Sequence, residues 1–275
     1  MSLFDAFRYD GKRVVVVGGA TGMGAAAAEL AQDAGAEVVV LDFAEVTLPG
    51  ARAIHVNLAD KASIEAAAAE CGGPVHALLA CAGVADGTPG IERINFIGHR
   101  HLINRLLDAG HLTRGGAIGF ISSAAGLGWA SNLEVMQEFL NVTDFDAASA
   151  WAVDHGIADY YHSKQAICTY VAREAFPLLK QGVRINAICP GPTDTPLARA
   201  NEEMWLGFGA DYRQELGVEP STPMEQAYPL VFLCSDAAAG IAGITLISDA
   251  GYMSSGLTES FPPATGAANF LMGRL

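Results

Sequence analysis

Short runs of β-branched and aliphatic residues recur along this chain at 13–17, 37–42, 51–56, 75–81, 117–122, 183–188 and 244–248. Ala-rich stretches of helical length separate them. A strand that returns only after a helix-length crossover pairs in parallel with its predecessor, so this alternation is the mark of βαβ units. The runs are apolar throughout, as strands covered on both faces must be. The pattern predicts an α/β fold: a doubly wound, seven-stranded parallel sheet, with helices over 25–34, 61–70, 90–109, 157–181 and 224–234. No linker, repeat or low-complexity tract divides it, so residues 1–275 are expected to form a single domain.

Composition narrows the function classes. The chain is 51% apolar and 17% charged, a globular composition and not a disordered one. A net charge of −14 argues against nucleic acid or an anionic membrane as partner. Charge or glycine interrupts every weakly polar stretch before it reaches the length of a membrane span, and Met1 to Arg13 lacks the layout of a signal peptide. Five cysteines without a Cys-x-x-Cys pair suit small buried residues in a reducing, cytoplasmic compartment. His99 and His101 would face different sides of a helix, and no Asp, Glu or Cys cluster joins them with His111, so no metal is expected.

Three segments exceed the minimal alternation: an insertion at 127–156, a stretch at 196–223, and a tail at 253–275. Long excursions from a tight domain are lids, binding loops or contact surfaces. Met204, Trp205, Leu206, Phe208 and Tyr212 make the second either a lid over an apolar substrate or a lid anchored to the core. The tail, with Phe261 and Phe270, either reaches a neighbouring subunit or is a loose end.

After the first strand comes Gly18-Gly19-Ala20-Thr21-Gly22-Met23-Gly24, opening a helix. Glycines let the chain turn tightly and let backbone N–H groups approach a pyrophosphate at the helix N-terminus. The spacing is G-x-x-x-G-x-G, and its place between strand and helix is what gives it meaning. Asp42 ends the second strand 18 residues past Gly24. A carboxylate there accepts hydrogen bonds from ribose hydroxyls and repels a 2′-phosphate. No Lys or Arg in the loop or directly after Asp42 would hold that phosphate, which favours NAD over NADP. Taken alone, Asp42 could equally cap a turn.

Tyr160 and Lys164 lie one helical turn apart and share a face. An ammonium near a phenol favours the phenolate, so the pair is expected to supply a proton donor and acceptor at neutral pH. Gln165 denies Tyr161 the same partner.

From Arg13 to Gly251 the chain resembles the short-chain dehydrogenase/reductase family, a Rossmann-type fold. The shared features, in order, are the glycine loop, Asp42, Asn95, Ser123, Tyr160 with Lys164, the Pro190-Gly191 turn and Asp249 after the last strand. The resemblance implies that Thr21 and Met23 join Gly18, Gly22 and Gly24 at the cofactor, and that Asn57 and Leu58 cradle its adenine. Ala82 and Gly83 would lie beside it; Ile188, Pro190, Gly191, Thr193 and Thr195 would belong to its nicotinamide end. Ala80-Cys81 stands where the family has Asn-Asn, losing side-chain hydrogen bonds that brace the central strands. Ser123 precedes Tyr160 by 37 residues because of the insertion. The context Ser122-Ser123-Ala124-Ala125-Gly126 favours Ser123 over Ser122, whose side chain should face the other way. A helical insertion at this point, with Pro190 to Leu197 reading Pro-Gly-x-x-x-Thr-Pro-Leu, is similar to the bacterial hydroxysteroid dehydrogenase/carbonyl reductase and coniferyl-alcohol dehydrogenase subgroup.

The resemblance implies an NAD-dependent oxidoreductase acting on a small hydrophobic alcohol or ketone. Tyr160 would exchange the hydroxyl proton, Lys164 would lower its pKa and hold the nicotinamide ribose, and Ser123 would orient the substrate oxygen. Asn95 would hold a water that relays protons from Lys164. A homo-oligomer, dimer or tetramer, is implied through the helices beginning near 90 and 157. Two other readings use similar parts. A dinucleotide-sensing regulator would not need the Ser/Tyr/Lys/Asn set. An epimerase/dehydratase would carry G-x-x-G-x-x-G and a larger C-terminal domain.

Overall fold

The four valines Val14 to Val17 are all buried, and they divide between two cores. In this computed structural model, which describes residues 4–274, strand β1 (Arg13–Val17) lies inside a parallel sheet covered on both faces. Met1, Ser2, Leu3 and Leu275, at the ends of the expected 1–275 span and its tail, lie outside the described residues. Val15 and Val17 face a core with Leu78, Phe96 and Phe120, while Val14 and Val16 face one with Ala27, Leu79 and Leu230. Period-two alternation sends successive side chains to opposite layers, so an unbroken apolar run is needed to serve both.

The remaining strands are β2 (Glu37–Asp42), β3 (Arg52–His55), β4 (Val75–Ala80), β5 (Leu112–Ile121), β6 (Arg184–Pro190) and β7 (Thr245–Ser248). They form a seven-stranded parallel sheet in the order β3-β2-β1-β4-β5-β6-β7. The order reverses between β1 and β4, and at such a switch point the loops leaving adjacent strands part to leave a crevice. The Val17 carbonyl accepts from both Cys81 and Ala82 N–H at 2.8 Å, and Gly18 N–H donates to the Leu41 carbonyl at 2.8 Å. These bonds set the mouth of that crevice.

Helices α1 (Gly22–Asp33), α2 (Lys61–Cys71) and α3 (Gly98–Asp108) follow β1, β3 and β4. The expected helix over 90–109 is divided, since residues Arg93–Ile97 form a π-turn ahead of α3. Strand β5 begins five residues before the expected run; Gly115 and Gly116 conceal its first half, where pairing with β4 shifts register between Val75 and Ala77. Among the described residues no helix is long and apolar enough to cross a membrane.

The insertion folds as a 3-10 turn (Ala124–Ala130), α4 (Leu133–Asn141) and α5 (Phe145–Asp154), ahead of the long α6 (Tyr160–Gln181). Buried Arg100 holds it: Nη2 donates to the Val142 carbonyl at 2.8 Å, Nη1 reaches the Leu140 carbonyl at 3.4 Å, and the guanidinium lies 5.4 Å from the centre of the Phe96 ring. Phe96 in turn meets Phe139 of α4 at 5.6 Å. The 196–223 excursion contains α7 (Pro196–Arg199), α8 (Glu202–Trp205) and α9 (Ala210–Leu216), and α10 (Pro223–Cys234) follows. Its neck is closed by Asp194 N–H to the Ser221 carbonyl at 2.8 Å and Ser221 N–H to the Pro192 carbonyl at 3.0 Å. The tail forms α11 (Tyr252–Leu257) and α12 (Thr265–Leu271), and α12 docks on the 124–130 turn of its own chain.

Replacing Arg100 with Met should strand two buried carbonyls at a cost on the order of 2 kcal/mol. Native-state hydrogen exchange should then quicken by roughly tenfold or more across 133–154 while β1 and β4 keep their protection.

Candidate active site

The crevice at the switch point is a cleft of about 500 Å³. Gly18, Thr21, Gly22, Met23 and Gly24 line one wall. Gly18 has φ +84°, and a Cβ there would lie 2.4 Å from Ala82 Cα, so only glycine lets β1 and β4 end side by side. Gly22, at φ +59°, opens α1 opposite Thr195.

Asp42, Asn57 and Leu58 line the far end, and Ala82, Gly83 and Thr195 the near one. Asp42 is tied at both oxygens: Oδ2 accepts from Ala20 N–H at 2.8 Å and Oδ1 from Ala44 N–H at 2.9 Å. The turn-capping reading of Asp42 and its register with the glycine loop are therefore one fact, since the same carboxylate fixes the loop. Asn57 makes an Asx turn, its Oδ1 accepting from Ala59 N–H at 3.0 Å. Among the described residues lining the cleft there is no Lys or Arg. A glycine-walled cradle with a carboxylate at one end and apolar sides fits a dinucleotide.

Helix α6 starts at Tyr160 because Asp159 caps it, accepting from His162 N–H at 2.8 Å. One turn on, buried Lys164 donates from Nζ to the Ile121 carbonyl at 3.0 Å and lies 5.4 Å from the centre of the Tyr160 ring. Its position meets the cleft, for a Cβ on Gly83 would lie 3.6 Å from Nζ. Burial pushes the Lys164 ammonium down to about 8. Burial likewise pushes the Tyr160 phenol up to about 12, a hydrogen bond from Ser123 opposes this, and the charge of Asp86 adds to it. The depression expected of Tyr160 from Lys164 is thus not found here. Loss of water disfavours the charged form of each group, and the ammonium is spent on a carbonyl.

Ser122 and Ser123 part as alternation requires. Ser122 is buried and donates to the Lys164 carbonyl at 3.0 Å, while Ser123 meets the phenol and caps the 124–130 turn, accepting from Ala125 N–H at 3.2 Å.

Asn95, fully buried in the π-turn, has no free amide donor. Nδ2 donates to the Val84 carbonyl at 3.1 Å and to Ser163 Oγ at 3.2 Å, while Oδ1 accepts from Val84 N–H at 2.8 Å. Its side chain clamps the loop after Gly83, with both amide hydrogens engaged within the protein. A π-turn at this point turns the amide inward.

Pro190, Gly191 and Thr193 lie on the segment from the end of β6 to the lid neck. Pro190 ends buried β6, Gly191 packs where a Cβ would meet Asp249 Cα at 2.9 Å, and Thr193 donates to the Gly191 carbonyl at 3.0 Å beside the lid neck. Ile188 is core. These residues shape the turn that delivers Thr195, whose Oγ1 accepts from Ala198 N–H at 3.0 Å and caps α7.

The lid residues divide. Trp205 sets its ring 5.0 Å from that of Tyr160, Phe208 anchors on Tyr252 at 4.9 Å, and Met204 is 74% exposed. Trp205, expected as a lid residue, is the one that reaches Tyr160, while two contributors went unforeseen, Asp86 and His99. Helical spacing from Asn95 could have found His99; nothing local marks Asp86. Buried His99 donates from Nε2 to the Ala82 carbonyl at 3.0 Å, bracing the strand end that Ala80-Cys81 leaves without side-chain bonds. His101, two residues on, meets Glu65 at 3.2 Å instead. Among the described residues no three potential metal ligands gather.

Comparison with known proteins agrees with this geometry. The family profile described as Enoyl-(Acyl carrier protein) reductase matches residues 18–253. The chain is 27% identical to coniferyl-alcohol dehydrogenase of Pseudomonas sp., covering 88% of this chain and 97% of that one. It is 32% identical to cis-4-hydroxycyclohexanecarboxylate dehydrogenase of Sinomonas cyclohexanicum, over 86% of this chain and 95% of that one. The crystal structure of 3-alpha-hydroxysteroid dehydrogenase from Pseudomonas sp., complexed with NADH, superposes with a TM-score of 0.73 at 27% identity, covering 91% of this chain and 99% of that one.

Burial lowers the His99 imidazole from 6.5 to about 4. Below pH 6.5 the unfolded chain takes up a proton that the native state refuses. The stability His99 contributes is therefore complete above 6.5, falls as pH drops toward 4, and is level below that. The loss across this window should be on the order of 3 kcal/mol. Urea unfolding midpoints of His99→Gln, which keeps a donor for Ala82, should fall less between pH 7 and 4 than those of the wild type.

Proposed function

The chain belongs to the short-chain dehydrogenase/reductase family, and we propose that it is an NAD-dependent oxidoreductase interconverting a hydrophobic secondary or aromatic alcohol and its carbonyl. What supports this reading is Tyr160 with Ser123 and Lys164 as neighbours, Lys164 lying beside Gly83 of the cleft that Asp42 also lines. The absence of basic side chains from the described lining supports NAD over NADP. The relatives are named for an aryl alcohol, a hydroxylated cyclohexane and a hydroxysteroid, which supports a ring-bearing alcohol.

Gly22 and the start of α1 would hold the pyrophosphate, Asp42 the adenosine ribose, and Lys164 the nicotinamide ribose. The nicotinamide supplies hydride acceptance or donation when bound, and in its oxidised form a positive ring near the phenol. The chain's own residues manage the proton. Tyr160, neutral at pH 7 in this structure, donates to the carbonyl oxygen in the reductive direction and accepts from the hydroxyl in the oxidative one. Ser123 hydrogen-bonds the same oxygen and steadies its developing charge. Trp205, against the Tyr160 ring, excludes water from one side of the transfer. The protein acts in the cytoplasm, where its five free cysteines stay reduced, and as a homo-oligomer, for which the exposed Phe176 and Leu179 of α6 offer an apolar face.

Tyr160→Phe should cut NADH formation from hydroxysteroids and aryl alcohols by roughly 100- to 10,000-fold while leaving NAD binding within about twofold. Turnover by the wild type with NADP alone would defeat the assignment drawn from Asp42. Asp42→Ser should narrow the preference for NAD over NADP by about tenfold in kcat/KM, the scale of one charge-assisted hydrogen bond lost.

A further inference from the structure

One loop grips both backbone polar groups of Tyr160. Its N–H donates to Asp86 Oδ1 at 2.6 Å. Its carbonyl accepts from Ser163 Oγ at 2.7 Å, and that oxygen accepts in turn from Asn95 Nδ2 at 3.2 Å. Asn95 is itself locked to the Val84 peptide by two bonds of 2.8 and 3.1 Å. Val84 and Asp86 belong to the same short loop after Gly83, and Val84 and Pro89 on either side of Asp86 line the cofactor cleft.

Capping alone does not require this arrangement. Asp159 already caps α6, and the first N–H of a helix ordinarily turns to water. Here a second carboxylate, exposed and 74 residues distant in sequence, takes that N–H. We propose that Asp86 is a positioning residue for Tyr160, coupling the wall of the cofactor cleft to the placement and protonation of the phenol. The inference rests on Tyr160 being the proton-transfer group.

The surroundings of the phenol leave Asp86 a distinct electrostatic part. Lys164, on the same helix, donates from Nζ to the Ile121 carbonyl. From β6 comes Cys189, whose thiol is held protonated by its contact with Cys168 and by burial. Asp159 is engaged by His162 Nδ1 at 2.7 Å. The lid presents the neutral Trp205 ring, with Glu202 and Glu203 exposed on the same short helix. The loop after Gly83 presents Asp86, whose charge opposes ionisation of the residue it holds.

Two variants separate position from charge. Asp86→Asn keeps an acceptor for the Tyr160 N–H and removes the charge; Asp86→Ala removes both. Carbon-13 NMR of protein labelled at tyrosine Cζ, with Tyr160→Phe assigning one of the seven signals, reads the phenol directly with and without NAD. In both Asp86 variants the Tyr160 titration should move down by roughly half a unit to one unit, the scale of one charge removed at about 10 Å in partly solvated protein. Asp86→Ala should also lose roughly tenfold in kcat at unchanged alcohol KM, a loss that Asp86→Asn escapes at pH values where both enzymes are fully active. An unmoved Tyr160 signal in Asp86→Asn, or a wild-type kcat in Asp86→Ala, would overturn the proposal. The titration needs no turnover, so the two failures are distinct. A displaced signal in a protein that oxidises no alcohol keeps Asp86 in its role and removes the proposed activity. Normal turnover with an unmoved signal does the reverse.

Discussion

Gly18 and Ala82 meet so closely that no side chain fits between them, and the active cleft is built around that contact. The Val17 carbonyl binds both Cys81 and Ala82 N–H groups, holding β1 and β4 together at their carboxyl ends up to the last peptide. Beyond that point the two chains turn apart. One becomes the glycine loop entering α1; the other becomes the loop of Gly83, Val84 and Asp86. The space between them is the cleft, and the reversal of strand order at β1 and β4 makes it unavoidable. His99 supports the same junction from beneath through the Ala82 carbonyl.

Tyr160 and Lys164, the proposed proton-transfer pair, are governed by lost hydration more than by mutual attraction. Lys164 and Tyr160 share a helix face, yet burial drives the first toward its neutral form near 8 and holds the second neutral to about 12. An ion pair of the kind that helical spacing suggests would have to repay two desolvations, and in this state the lysine bonds the Ile121 carbonyl instead. Ser123 is the neighbour that eases ionisation of the phenol, and Asp86 is one that hinders it.

Much of this was legible in the sequence wherever the information is local. Strands β1 and β2 fall at the expected residues because continuous burial on both faces leaves an unbroken apolar run. Lys164 follows Tyr160 by one turn whatever surrounds the helix, and alternation at the end of β5 separates Ser123 from Ser122. Signals failed where tertiary contacts decide. Gly115 and Gly116 hid the first half of β5, since neither carries a side chain to show its period. The packing of Gly191 against Asp249 and the bridge from Thr193 to Ser221 at the lid neck are invisible to spacing. The amide of Asn95 is engaged by Val84 and Ser163, bonds no spacing foretells. Asp86 reaches Tyr160 from a remote loop and leaves no periodic trace.

The docking of α12 gives the chain a particular order of completion. Six of the seven strands, the cleft and the Tyr160–Lys164 helix precede β7, and the turn after Ser123, already packed on α6, gains a further cover from α12 after it. Leu271 presents its carbonyl where a Cβ on Gly128 would stand at 2.9 Å, and Phe270 lies 6.2 Å from the Tyr161 ring. During synthesis a nascent chain halted after β7 would therefore hold every residue proposed to handle the proton and the dinucleotide, with the serine turn packed on α6 but not yet on α12. Docking of α12 then adds the outer layer over that turn.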